Sequence, residues 1–144
     1  MNLSMKRRAT AEWKDGLKDG RGSISTESGV LSHTQYSFKT RFEHGEGTNP
    51  EELIAAAHAG CFTMALSAQL EKAGLTVGQL NTEATVTIEK TDDGFAIPAI
   101  HLSVTARVPN ATQALFDKAA LEAKIGCPVS KLFNANITLD ARLE

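Results

Sequence analysis

Few residues in this chain could do chemistry: two cysteines, Cys61 and Cys127, four histidines, and thinly scattered charges. Cys61 sits inside an apolar helical run, "AAAHAGCFTMALS". Free cysteine is among the most buried residue types, so packing alone explains it adequately. A chemical role needs a thiolate, and a thiolate needs donors or positive charge nearby. Cys127 strengthens that second reading. It stands directly before Pro128, at the N-cap or the preceding position of a short helix, and a helix N-terminus favours a thiolate. Two cysteines beside helix features suggest a redox pair, in which one sulfur attacks and the other resolves. Sequence spacing by itself does not bring them together.

His58 lies three residues before Cys61 and shares its helix face. The pair could be half of a metal site or a Cys–His nucleophile. Each needs further groups, and no second spaced pair is visible among His33, His44 and His101. A histidine bonded to a neighbour is the favoured reading, and no metal or cofactor is expected. Arg41 reads as a solvated residue on the polar face of a strand. Glu51 reads as a charge that complements a helix start. Physics alone singles out neither.

The elements that must position these residues follow from periodicity and punctuation. Arg7 to Trp13 and Ser23 to Thr26 read as short strands, separated by the turn signals Lys14-Asp15-Gly16 and Gly20-Arg21-Gly22. Tyr36, Phe38, Thr40 and Phe42 keep period two, so Tyr36 to Phe42 is predicted as a third strand. "GTNPEE" then starts a helix, with Asn49 as N-cap, Pro50 at N1, and Glu52 placed to close a capping box. That helix should run to about Ala73, with Gly74 ending it. Residues 53 to 68 are apolar on nearly every side, more than one sheet can cover. A second copy of the helix across a two-fold axis is the economical partner. Thr82 to Lys90 and Ile100 to Ala106 form a hairpin about Asp92-Asp93-Gly94. Asn110 should cap a helix that ends at Gly126 and buries Ala114, Leu115, Ala119, Leu121 and Ile125. A short helix from Pro128 and a strand through Ile137, Leu139 and Ala141 close the chain. The fold class is α+β, helices on antiparallel sheet.

At 144 residues, a single domain spanning 1–144 is expected. A hydrophobic content of 42%, a charged content of 22% and a formal charge of −2 describe an ordinary globular protein without a nucleic-acid footprint. No apolar segment follows Lys6-Arg7-Arg8 as a secretory signal would require. The run around Cys61 is interrupted by His58, Ser67 and Gln69, which argues against a membrane span. Two cysteines are too few for a secreted disulfide scaffold, so a reducing cytoplasm is expected.

"GTNPEELIAAAHAGCFTMALS" and "AKIGCPVSKLFNANITLD", with "STESGVL", "FKTRFE" and "GFAI", resemble the OsmC/Ohr family of osmotically inducible and organic-hydroperoxide-resistance proteins over essentially the whole chain. The intervals between blocks are closer to the OsmC branch. The resemblance implies a thiol peroxidase that reduces organic hydroperoxides, and hydrogen peroxide less well, in stress defence. By match of motif, Cys61 is the peroxidatic cysteine and Cys127 the resolving one, joined as a disulfide in the cycle. Arg41, in "TRFE", matches the arginine that holds the thiolate and stabilises the leaving oxygen. Glu51, in "NPEE", matches the glutamate that orients it. Arg21, in "GRGS", is a second candidate, because Ohr-type members use an arginine nearer the N-terminus. His58 stands where those members often carry Tyr, and receives no catalytic role. The implied fold is an intertwined homodimer with antiparallel sheets around long central helices. Its implied partners are a hydroperoxide and a thiol reductant, with a dihydrolipoyl protein as candidate donor. Glu51 and Cys61 are ten residues apart, about 15 Å along one straight helix, too far for one arginine to touch both easily. Either the helix breaks near Gly60 or Glu51 and Arg41 come from the other subunit, and the second is preferred. Phe38, Phe42, Leu53, Ile54, Phe62 and Met64 are available to line an apolar pocket. Two other readings compete: a binding module of the same fold that takes a lipid or small acid without turnover, and a Cys–His hydrolase, which lacks an oxyanion motif.

Overall fold

Short alternating segments punctuated by turn residues build the first sheet. The computed structural model describes residues 3–144 and divides the chain into two units, one ending at Pro50 and the other Glu51–Glu144. In the first, β1 (Ala9–Lys14), β2 (Arg21–Thr26) and β3 (Thr34–Tyr36) form an antiparallel sheet in that order. The Trp13 and Tyr36 rings, 5.5 Å apart between centroids, close over Gly22, where a Cβ would stand 2.5 Å from each. Only glycine fits there. Among the described residues of this unit no large apolar side chain is fully buried.

The predicted strand from Tyr36 to Phe42 is overturned. β3 stops at Tyr36, and α1 (Phe38–Phe42) takes over. Ser37 is its N-cap: Ser37 Oγ accepts from the Thr40 N–H at 3.2 Å, and Thr40 Oγ1 accepts from the Ser37 N–H at 2.8 Å. This reciprocal capping box outweighs the period-two pattern. Phe38 and Phe42 become i, i+4 neighbours with ring centroids 5.0 Å apart. Arg41 therefore lies on a helix, not on a strand face.

The second unit is built on α2 (Pro50–Lys72), which is continuous through Gly60. Gly74, at φ +84, reverses the chain after it. His58, Phe62, Leu66 and Leu70 recur every fourth residue and are buried; Ala56, Gly60, Met64 and Ala68 recur likewise and are exposed. By length and composition alone α2 could cross a bilayer, but the core helix of a soluble protein meets the same criteria. Its buried stripe joins a core with Leu102, Val104 and Ala106 of the sheet and Phe116, Ala119, Ala120 and Ala123 of α3.

β4 (Gln79–Thr91) and β5 (Gly94–Arg107) form the predicted hairpin, with Gly94 at φ +123 after the two-residue turn. α3 (Gln113–Gly126) and α4 (Pro128–Leu132) then cross back to β6 (Asn136–Leu143), which pairs with β5 in parallel. The second sheet is therefore mixed. Parallel neighbours need a long crossover to bring the chain back to the same end of the sheet, and α3 and α4 supply it. Two details of α3 also differ from expectation. Thr112 is its N-cap and Asn110 occupies a left-handed turn position, φ 68, ahead of it. Ala119 points inward as expected, but Ala114, Leu115, Leu121 and Ile125 are exposed, and Phe116, Ala120 and Ala123 take the buried face instead.

Candidate functional site

α2 and α4 bring both cysteines to one place. Cys127 ends α3 and caps α4: its backbone N–H donates to Ala123 O, and its sulfur accepts from the Ser130 N–H at 3.4 Å. Pro128 occupies the first turn of α4, where its missing N–H costs nothing. Cys61 reaches the same point from α2. Its sulfur faces the Val129 N–H and the Cys127 side chain. The first N–H groups of a helix have no intrahelical acceptor. Here two of them, from Val129 and Ser130, turn toward the two sulfurs. The N-cap position expected for Cys127 is thus realised, and the adjacency that sequence spacing left open is present.

Both thiols are free; Cys127 is buried and Cys61 half-buried. Burial pushes the Cys61 thiol up, and the neighbouring Cys127 adds to the rise by hydrogen bond and by charge. The Val129 N–H pulls the other way, because it donates best to a thiolate.

His58 is fully buried, and its Nε2 lies 2.8 Å from Ser130 Oγ. Ser130 Oγ lies in turn 3.2 Å from Cys127 Sγ. The His58 ring meets the Phe133 ring edge-on, with centroids 5.5 Å apart. Burial lowers the imidazole pKa from its ordinary 6.5. Sequence reasoning passed over Ser130. Its only trace there was spacing: third after a cysteine that precedes a proline, it occupies the N3 position that an N-cap side chain contacts. Among the described residues no three His, Cys, Asp or Glu side chains gather as a metal site would require.

The other candidates lie as follows. Arg41 is in the last turn of α1, its guanidinium carbon 5.3 Å from the Phe42 ring centroid. It lines a cleft of about 280 Å³ with Trp13, Leu17, Tyr36, Phe38 and Phe42. Arg21 opens β2 and lines a different groove, with Lys18, His33 and Lys39. Glu51, in the first turn of α2, is only 7% exposed, unlike a solvated helix-start charge. A buried carboxylate calls for a cation or strong donors. Because α2 is unbroken, the helix-break alternative at Gly60 falls away, and Glu51 stays about 15 Å from Cys61 along the axis. Phe62 is fully buried in the core and cannot wall an open pocket.

The fold and site define an α+β chain that brings two free thiols to the start of one short helix. The comparisons specify the class. The family model "OsmC-like protein" matches residues 43–142, and the chain belongs to that family. It is 48% identical over 142 residues to peroxiredoxin OsmC of Escherichia coli K12, covering 99% of both chains. It is 35% identical over 133 residues to the organic hydroperoxide resistance protein-like 2 of Staphylococcus epidermidis, covering 90% of this chain and 89% of that one. Among solved structures, an organic hydroperoxide resistance protein from Elizabethkingia anophelis superposes with a TM-score of 0.72 at 24% identity, covering 100% of this chain and 99% of that one, a likeness of fold.

Proposed function

We propose that the chain is a thiol-dependent peroxidase of organic hydroperoxides, with Cys61 as nucleophile and Cys127 as resolving thiol. The observation that carries this reading is the apposition of the two sulfurs at the start of α4. The peroxiredoxin and hydroperoxide-resistance names of the relatives agree with it.

The Cys61 thiolate attacks the distal oxygen of the hydroperoxide. The S–O bond forms as the O–O bond breaks, and the alkoxide leaves with a proton as the alcohol. The sulfenic acid on Cys61 then condenses with the Cys127 thiol, releasing water and forming the disulfide. An external dithiol, with a dihydrolipoyl protein as candidate, restores both thiols by exchange.

Burial alone leaves Cys61 a poor thiolate, so the reaction needs a cation. Arg41 is proposed for it, as a permanent charge with a rigid fork of donors, oriented by Glu51. Both are assigned to the partner subunit of a homodimer. Two features support that assignment: the unbroken α2, which separates Glu51 from Cys61, and the apolar outer face of α2, which solvent covers in the single chain. The aromatic cleft beside Arg41 suits an alkyl substituent. Each buried CH₂ favours a bulky hydroperoxide over hydrogen peroxide by up to about 0.8 kcal/mol.

Turnover of cumene hydroperoxide with dithiothreitol tests the reading. Wild type consumes it and Cys61→Ser does not; with peroxide but no dithiothreitol, Cys127→Ser stops as a Cys61 sulfenic acid. Unchanged activity in Cys61→Ser removes the mechanism. Tight ligand binding without turnover in wild type would instead point to a non-catalytic binding protein.

A further inference from the structure

His58 and Ser130 form a buried polar chain that the reaction above does not use. A polar pair withdrawn from water costs free energy that apolar side chains of the same volume would not. Its geometry leads to a reacting atom: His58 Nε2 to Ser130 Oγ, 2.8 Å, and Ser130 Oγ to Cys127 Sγ, 3.2 Å. His58 Nδ1 has no hydrogen-bond partner among the described residues, so the ring's hydrogen bond is the one its Nε2 makes to this chain.

We infer that His58, acting through the Ser130 hydroxyl, takes the proton that Cys127 must lose when it attacks the Cys61 sulfenic acid. The inference rests on the peroxidase reading, because that reading supplies the sulfenic acid. Two proton arrangements fit the same heavy atoms. In the first, the Cys127 S–H donates to Ser130 Oγ and the Ser130 O–H donates to a neutral His58 Nε2. In the second, His58 Nε2–H donates to Ser130 Oγ, and the Ser130 O–H donates to the Cys127 thiolate. Two short proton hops interconvert them, and no heavy atom moves. The Ser130 N–H, 3.4 Å from the sulfur, donates in both.

The step balances. Cys127 sulfur bonds to Cys61 sulfur as the Cys61 S–O bond breaks. The departing hydroxide takes a proton from solvent at half-exposed Cys61 and leaves as water. The Cys127 proton passes through Ser130 to His58, which is itself fully buried, and returns by the same path to the Cys127 sulfur when an external thiol later opens the disulfide. Cys127 itself is 1% exposed, so a protein-borne acceptor answers a need that bulk water cannot meet directly. Burial leaves His58 neutral at neutral pH, so its Nε2 lone pair is available, and the same burial makes the imidazolium a transient carrier of the proton. Ser130 touches the reacting sulfur; His58 acts through it and is a positioning residue. Among the described residues His58 meets Ser130 by hydrogen bond and Phe133 by ring contact, and neither titrates in this range. On its own helix the nearest titratable group on the same face is Cys61, one turn away, and the nearest carboxylate is Glu51, two turns away. Lys131 of α4 is exposed.

The test follows one turnover with cumene hydroperoxide, timing sulfenic acid formation by a dimedone trap and disulfide formation by loss of free thiol. The proteins are wild type, His58→Gln, which keeps a hydrogen-bonding group at the Nε2 position but cannot take the proton, and Ser130→Ala. Sulfenic acid should form at the wild-type rate in all three. Disulfide formation should slow by on the order of a hundredfold in both variants. It should be flat with pH near neutrality in wild type and climb with pH in the variants, as hydroxide replaces the relay. Wild-type disulfide rates in folded Ser130→Ala would overturn the inference. So would a slowing with the wild-type pH profile, the signature of displaced packing. Ser130→Ala decides alone if His58→Gln does not fold. If wild-type Cys61 forms no sulfenic acid, the peroxidase reading fails first and takes the relay with it.

Discussion

His58 and Cys61, three residues apart on α2, answer burial in opposite directions. Withdrawal from water disfavours the charged form, so the imidazole pKa falls and the thiol pKa rises. Stability follows for His58. Unfolded, it takes up a proton as pH drops through about 6.5. Folded, it stays neutral to lower pH. The unfolded state then binds more protons, so stability is lost as pH falls below that value. His58→Gln should therefore show a shallower fall in melting temperature between about pH 7 and pH 5 than wild type, whatever its stability at neutral pH. Parallel curves would contradict a buried neutral His58. At this scale the sequence disclosed what rests on local rules. Cys127 before Pro128 points to a helix start, because proline suits the first helical position, and it is the N-cap of α4. The Ser130–His58 contact spans 72 residues of chain, and no local rule reaches that far.

Among the elements, long periodic segments were readable and short ones depended on local chemistry. α2 and the β4–β5 hairpin carry their own punctuation, Pro50, Gly74 and the Asp92-Asp93-Gly94 turn. α1 was misread because five residues cannot distinguish period two from a helical turn, and the Ser37–Thr40 capping box decided it. The parallel pairing of β6 depends on a crossover, which no strand pattern encodes. α2's outer face supplies the prediction here. Met64 is 77% exposed in the single chain. An isolated surface site tolerates most substitutions within about 0.5 kcal/mol. At a helix–helix seam, a glutamate there would forfeit about 1.5–3 kcal/mol of burial and strand a charge. Met64→Glu should sediment as monomer where wild type sediments as dimer. A dimer as tight as wild type would place the interface elsewhere.

For the whole molecule, the reading assigns each active site to two subunits. Mixing subunits tests that. In a heterodimer of Arg41→Ala and Cys61→Ser chains, a site shared across the interface pairs one intact Cys61 with one intact Arg41. Such a heterodimer should recover about half the wild-type activity, while either parent homodimer is nearly inactive. No recovery would place Arg41 and Cys61 of one site on a single chain. The sequence pointed toward assembly, because a helix apolar on nearly every side cannot be covered by one small chain. It did not disclose that the N-terminal unit, by itself, fully buries no large apolar side chain among its described residues. Beneath assembly and relay alike lies one claim, that a hydroperoxide oxidises Cys61 and Cys127 joins it. Intact-mass and peptide analysis after a single equivalent of cumene hydroperoxide, with no reductant present, addresses it directly. The account predicts loss of two hydrogens and a single Cys61–Cys127 cross-link, replaced in Cys127→Ser by one added oxygen on Cys61. Two free, unmodified thiols in the wild type after the peroxide is added would contradict it.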